Sequence, residues 1–167
     1  DEFIKEAFKS DYYIYYHLLY KSERLSSSEK PKNSQLWHAD GGPGTCMNLM
    51  ICHSPINEKN GSMKIIPWKE SKNLLVKLFF EYKRLIRNKK TQKGFNNLNN
   101  ISLREIKCGL LESYINQKSL KYFQPKSSNS GTIYAFRNNC VHAGGYTEVG
   151  QGRFVSIMHI YPSSKKT

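Results

Sequence analysis

The sequence predicts a mainly β fold, a barrel or sandwich of strands with helices added to it, and three observations lead there. Strand-like segments cluster in two blocks, one on each side of the middle of the chain. Between the blocks the apolar period switches from two to 3.6 for about 50 residues, which reads as a helical insertion at about residues 70–117 rather than as alternating βαβ units. The chain has 167 residues, of which 38% are hydrophobic and 13% aromatic, enough for one domain with a real core.

Taken in order, residues 1–9 read as a short helix, because Phe3, Ile4 and Phe8 recur at helical spacing. Residues 11–20 are rich in tyrosine and fit a strand or a helix, with the aromatic enrichment favouring a strand. A polar loop follows at 26–33. The segment Gln35-Leu36-Trp37-His38-Ala39-Asp40 reads as extended and runs into the glycine-rich stretch 41–44. Residues 45–53 alternate as a buried strand, with Met47, Leu49 and Ile51 on one face and Cys46, Asn48, Met50 and Cys52 on the other. After a turn at 55–61, residues 62–68 read as a second strand, stopped by Pro67. A helix over 70–90 places Leu75, Leu78, Phe79, Tyr82, Leu85 and Ile86 on one stripe, expected to pack on the strands. Residues 94–100 form a loop. Ser102 with Glu105 makes a capping box for a second helix reaching about residue 116. Strands at 132–136 and 153–161 complete the chain.

Charge and cysteine usage narrow the partners. Lys and Arg number 26 against 13 Asp and Glu, a net charge of +13. The cations are scattered, with small clusters at Lys83 and Arg84, at Arg87, Lys89 and Lys90, and at Lys165 and Lys166. No nucleic-acid motif accompanies them, so an anionic small substrate is the expected use of the charge and nucleic acid is not. Cys46, Cys52, Cys108 and Cys140 form no C-x-x-C pair and read as buried free thiols. A reducing, cytoplasmic setting is the expectation. No apolar run has the length of a membrane span, and the charged start is unlike a signal peptide.

The chemistry gathers at three side chains. His38 and Asp40 are two apart, so on an extended segment they share one face and can take adjacent positions on one metal ion. A third ligand must come from afar, and His142, just past the strand at 132–136, is the best placed. Two histidines and a carboxylate on one face of an ion, with positions left open, suit non-haem Fe(II) that activates oxygen. Eleven residues beyond His142, Arg153 opens the last strand and can grip a carboxylate through a two-pronged, charge-assisted pair. His17, His53 and His159 read as structural or surface histidines, and Trp37 and Trp68 as core or pocket wall.

The ordered set His38-Ala39-Asp40, then Asn60-Gly61-Ser62-Met63-Lys64-Ile65-Ile66-Pro67, then Gly131-Thr132-Ile133-Tyr134-Ala135-Phe136, then His142 with Arg153, resembles the phytanoyl-CoA dioxygenase-like family. The resemblance covers roughly residues 35–68 and 130–161. It implies a double-stranded β-helix, the cupin-like jelly-roll barrel, and an Fe(II)- and 2-oxoglutarate-dependent oxygenase. By position, His38, Asp40 and His142 would bind iron and act as the catalytic centre. Arg153 would hold the distal carboxylate of 2-oxoglutarate, with Asn48 a further contact to that co-substrate. With O2, such an enzyme hydroxylates a small molecule and releases succinate and CO2. Asp40 fills the position that halide takes in related halogenases, so hydroxylation is expected over halogenation. Two stretches depart from the family: Pro67-Trp68-Lys69-Glu70-Ser71 replaces its Pro-Gly-Ser-His run, and Gly144-Gly145-Tyr146-Thr147-Glu148 replaces a turn that carries Asn and Ser. The alternative is a jelly-roll protein that binds a metal or ligand without catalysis.

Overall fold

A computed structural model describes residues 1–40, 46–91 and 103–163. The glycine stretch 41–44, the loop 94–100, Ser102 of the expected capping box, and Lys165 and Lys166 lie outside the described residues. So do the side chains of Leu85, Ile86, Lys89 and Lys90.

The elements run α1 (Glu2–Phe8), β1 (Tyr12–Glu23), β2 (Met47–Cys52), β3 (Ile56–Asn57), β4 (Lys64–Ile65), α2 (Trp68–Thr91), α3 (Leu103–Gln117), β5 (Ser127–Ser128), β6 (Ile133–Arg137), β7 (His142–Ala143) and β8 (Gly152–Pro162). The main sheet has four antiparallel strands in the order β1-β8-β2-β6. Two shorter antiparallel ladders, β3-β5 and β4-β7, stand apart from it. Isolated bridges lengthen the β4-β7 ladder on both sides, His38 to His142 and Ile65 to Phe123. Among the described residues the architecture is therefore antiparallel β with added helices, and no ladder closes into a barrel.

β2 forms as its alternation requires: Asn48, Met50 and Cys52 are buried while Met47, Leu49 and Ile51 are half-buried. Met50 and Cys52 pack with Ile56, Met63, Phe136 and Val155 in one core cluster. β1 is the edge strand, and its register against β8 shifts between Ile14 and Tyr16. Most of its side chains face solvent, with Tyr13 stacked on Tyr161.

The expected strand over 62–68 is a correction. Only Lys64 and Ile65 pair as a strand, and Trp68 already begins α2. The cause is local. Ser71 Oγ donates to the Ile66 carbonyl at 2.8 Å and Ser71 N–H to the Pro67 carbonyl at 2.9 Å, which closes the helix start around Pro67.

The stripe on α2 also differs from expectation. Leu74 and Leu78 are the buried residues, packed with Leu111, Tyr114, Ile115, Ile66 and Val141, whereas Phe79 is 52% exposed. Lys77 lies over the Tyr114 ring at 3.9 Å and Lys107 over Tyr82 at 4.4 Å. These contacts make α2 and α3 antiparallel. Burying each leucine contributes roughly 1.5–3 kcal/mol. The exposed Arg84–Glu81 pair contributes at most about 1 kcal/mol, so apolar packing holds the helices in place.

Candidate metal centre

His38, Asp40 and His142 come together. His38 and His142 are a bridge pair whose backbones exchange two hydrogen bonds, His38 N–H to His142 O at 2.9 Å and His142 N–H to His38 O at 2.8 Å. Their rings lie 4.3 Å apart between centroids. Asp40 is fixed in turn by its N–H, which donates to Asn138 O at 3.1 Å. His38 is held as a bridge rather than as part of a long strand, but the geometry expected of the His-x-Asp segment survives.

The ring orientations are set by the backbone. His38 Nδ1 lies 2.7 Å from Leu36 O and His142 Nδ1 lies 2.8 Å from Cys140 O. A carbonyl only accepts, so each Nδ1 carries the proton and each Nε2 presents its lone pair to the space between the side chains. His142 is 4% exposed. Burial, with the nearby His38 second, pushes its imidazole down to about 4, which keeps it neutral and able to bind a metal.

The donor atoms fit one ion. His38 Nε2 and Asp40 Oδ1 are 3.6 Å apart, as are His142 Nε2 and Asp40 Oδ2, and the three side chains offer ligand atoms within 4.8 Å of one another. Two donors each about 2.0–2.2 Å from a shared ion lie within roughly 4.4 Å of one another. The 3.6 Å gaps are long for hydrogen bonds and right for a shared ion. Asn48 Nδ2 donates to Asp40 Oδ2 at 2.6 Å. Such an outer contact orients a ligating carboxylate. Asn48 therefore contacts the candidate ligand Asp40 directly.

A second group of polar atoms lies against the loop that follows His142. Arg153, on β8, is 1% exposed, and neither its Nε nor its Nη1 finds a hydrogen-bond partner. Burial pushes its guanidinium down from the ordinary arginine range, opposed by Tyr20 and Cys52. The guanidinium rests against two glycines. A Cβ at Gly144 would come within 2.7 Å of Nη2, and one at Gly61 within 3.3 Å of Nη1. Thr147 packs on the same Gly61, and its buried Oγ1 is also unpartnered. Tyr20 supplies Arg153 with one hydrogen bond, but its unpartnered Nε and Nη1 and the Thr147 hydroxyl still cost several kcal/mol together unless an acceptor completes them. Such donors suit an oxyanion.

Sequence reasoning missed Thr147 and Asn138. Thr147 sits in the turn after His142 that departs from the family pattern, and its place between His142 and Arg153 was the available signal. Asn138 is fully buried with both amide atoms unpartnered, and nothing in the sequence marks it. His17, His53 and His159 stay outside the centre: His53 Nε2 pairs with Ser156 Oγ at 2.6 Å and His159 packs edge-on against Tyr16. All four cysteines are buried and free. Among the described residues no helix is long and apolar enough to cross a membrane.

No family model and no curated protein matches the chain. Solved structures do. The chain is similar to AviO1 from Streptomyces viridochromogenes Tue57, with a TM-score of 0.55 and 15% identity over 99% of this chain and 58% of that one. It is similar to EvdMO1, with a TM-score of 0.53 and 15% identity over 98% of this chain and 31% of that one. It is also similar to ThoJ, described as a non-heme monooxygenase in a Ni complex, with a TM-score of 0.53 and 11% identity over 96% of this chain and 49% of that one. The chain thus spans less than two thirds of each neighbour, and the likeness is one of fold.

Proposed function

We propose that the chain is a non-haem Fe(II)- and 2-oxoglutarate-dependent dioxygenase that hydroxylates a small molecule, in keeping with its resemblance to the phytanoyl-CoA dioxygenase-like family. The fold likeness to a non-heme monooxygenase supports the oxygenase reading. On it, the open ladders are the two sheets of a double-stranded β-helix.

His38, Asp40 and His142 would hold the iron, whose remaining coordination positions would take co-substrate and O2. Bound there, Fe(II) and 2-oxoglutarate would supply the oxidising chemistry, in which one atom of O2 enters the product as hydroxyl and the other enters succinate as CO2 leaves. The chain's own residues do the positioning. Leu36 O and Cys140 O keep both Nε2 atoms bare, and Asn48 turns the Asp40 carboxylate toward the ion. Arg153 and Thr147 bind the distal carboxylate of the co-substrate. Trp37 and Ala39, which flank His38 in sequence and pack against the α2–α3 core, help to exclude water.

The observation that carries this reading is the buried Arg153 with two unpartnered donors next to the loop that follows His142. A protein that only binds a metal has no use for it. The test is succinate formation by anaerobically loaded protein on admission of O2. Wild type forms succinate, His38→Ala and Asp40→Ala form none, and metal-loaded protein that neither binds nor consumes 2-oxoglutarate would leave the non-catalytic alternative standing.

A further inference from the structure

An edge strand presents N–H and C=O groups with no partner on its outer side, so charge, proline or a short length normally keeps other chains away. β6, one edge of the main sheet, follows that rule: it is five residues long and ends on exposed Arg137. β1, the opposite edge, is twelve residues long. From Tyr12 to Tyr20 it holds no Asp, Glu, Lys, Arg, Gly or Pro. Among the described residues it pairs with β8 alone.

Its side chains are as open as its backbone. Tyr13, Ile14, Tyr15, Tyr16, Leu18 and Leu19 are each between 41% and 71% exposed. They stand on both faces of the strand, because successive side chains alternate. Scattered apolar residues on a surface need no explanation, but a run this dense does. Buried whole, an aromatic side chain removes roughly 150–250 Å² from water, so six such half-open residues offer on the order of 500 Å² per copy. Two copies together reach the roughly 1,000 Å² that a specific interface needs. Beyond the run, Lys21 and Glu23 pair with each other at 2.6 Å, so that end of the strand adds no net charge.

One irregularity sets the register. The pairing of β1 with β8 shifts between Ile14 and Tyr16, and a bulge bends a strand where it occurs. The straight run free of charged residues is therefore Tyr16–Tyr20, with Leu18 at its middle. Two such runs laid antiparallel put Leu18 opposite Leu18, Tyr16 opposite Tyr20 and His17 opposite Leu19. Lys21 then meets Tyr15, and no two like charges face each other.

We propose that β1 is a self-association surface, on which two copies of the chain pair their β1 strands antiparallel about a twofold axis at Leu18 and join two four-stranded sheets into one of eight. Such a contact is isologous and consumes both long edges, so it closes at two copies. It stands independently of the metal chemistry. The net charge of +13 on each copy opposes it, and salt screens that repulsion. An anionic partner on the same strand would respond to salt in the opposite sense.

The test is sedimentation velocity of the chain over roughly 1–100 μM, where interfaces of modest size associate, at low and high salt. A dimer is expected, tighter at high salt. Leu18→Lys and Leu18→Glu each set like charges against themselves across the axis, and each should weaken the dimer at least about tenfold. An equimolar mixture of the two should associate at least about tenfold more tightly than either alone, since a lysine then meets a glutamate. Val76→Lys, on the exposed surface of α2, should change nothing. Circular dichroism checks that each variant folds. A wild type that stays monomeric throughout at high salt, or grows beyond two copies, would overturn the proposal. So would a dimer that survives both Leu18 variants or dissolves as salt rises, or a mixture no tighter than its folded components.

Discussion

The two sides of the cavity lined by His38, Asp40 and the helices α2 and α3 are built in opposite ways. On the β side the functional groups are buried or half-buried and each is fixed by its surroundings: His142 through a reciprocal backbone pair with His38, Asp40 through Asn138 and Asn48, and Arg153 in a buried niche against Gly61 and Gly144. On the helical side Leu74, Leu78 and Leu111 anchor the helices, while the groups facing the cavity are exposed aromatics and flexible cations. The difference teaches a division of labour. Rigid, desolvated donors suit an invariant metal and co-substrate, and an adaptable wall suits the selection of a variable substrate.

If that division holds, substitutions on the β side change chemistry and those on the helical side change fit or stability. The largest effect belongs to the ligands. Asp40→Ala should remove tight metal binding altogether in a metal titration, because only two imidazoles remain. Arg153→Met should raise the 2-oxoglutarate concentration needed for half-saturation by about 100-fold, in line with the roughly 2–3 kcal/mol of a charge-assisted pair. The same change should raise the melting temperature of the co-substrate-free protein by about 2–4 °C, since it removes a buried charge with unpartnered donors. A lower melting temperature with an unchanged half-saturation concentration would mean that Arg153 is structural.

Asn48→Ala should weaken metal binding by about 10–100-fold, as loss of a contact to a ligating carboxylate does elsewhere, with the ligand set itself intact by spectroscopy. On the helical side, Leu111→Ala should cost about 2–5 kcal/mol of stability in denaturant unfolding while metal affinity stays unchanged. The smallest effect is a pH dependence. His142 is held down at about 4 against its ordinary 6.5, so the unfolded chain takes up the proton first. Its contribution to stability is whole above about pH 6.5 and is lost as pH falls toward 4. Melting temperature of the metal-free protein should drop across that window, and His142→Leu should flatten the drop.

Residue type made the His38, Asp40 and His142 cluster legible: histidine and aspartate are few and chemically distinctive, and the x-spacing of His38 and Asp40 needs only an extended backbone to align them. β2 was legible because burial on one face imposes alternation, and α2 because its apolar period is long. What stayed hidden depends on long-range pairing. Asn138 and Thr147 are ordinary polar residues until the chain from β6 to β8 wraps them into the interior. Residues 62–68 carry a strand composition, yet Ser71 back-bonding starts α2 at Trp68 and leaves β4 two residues long. On α2 itself, the period marked Phe79 as core, but α3 covers the neighbouring Leu74 and Leu78 and leaves Phe79 facing the cavity. The jelly-roll barrel came from resemblance, and the described ladders remain open.

A crystal grown without oxygen in Mn(II), as a stand-in for Fe(II), and 2-oxoglutarate would test the central claim most directly. The account predicts one anomalous peak bound by His38 Nε2, His142 Nε2 and an Asp40 oxygen, with 2-oxoglutarate reaching from that ion to Arg153 and Thr147. A metal elsewhere, or a filled metal site with Arg153 still facing no anion, would contradict it.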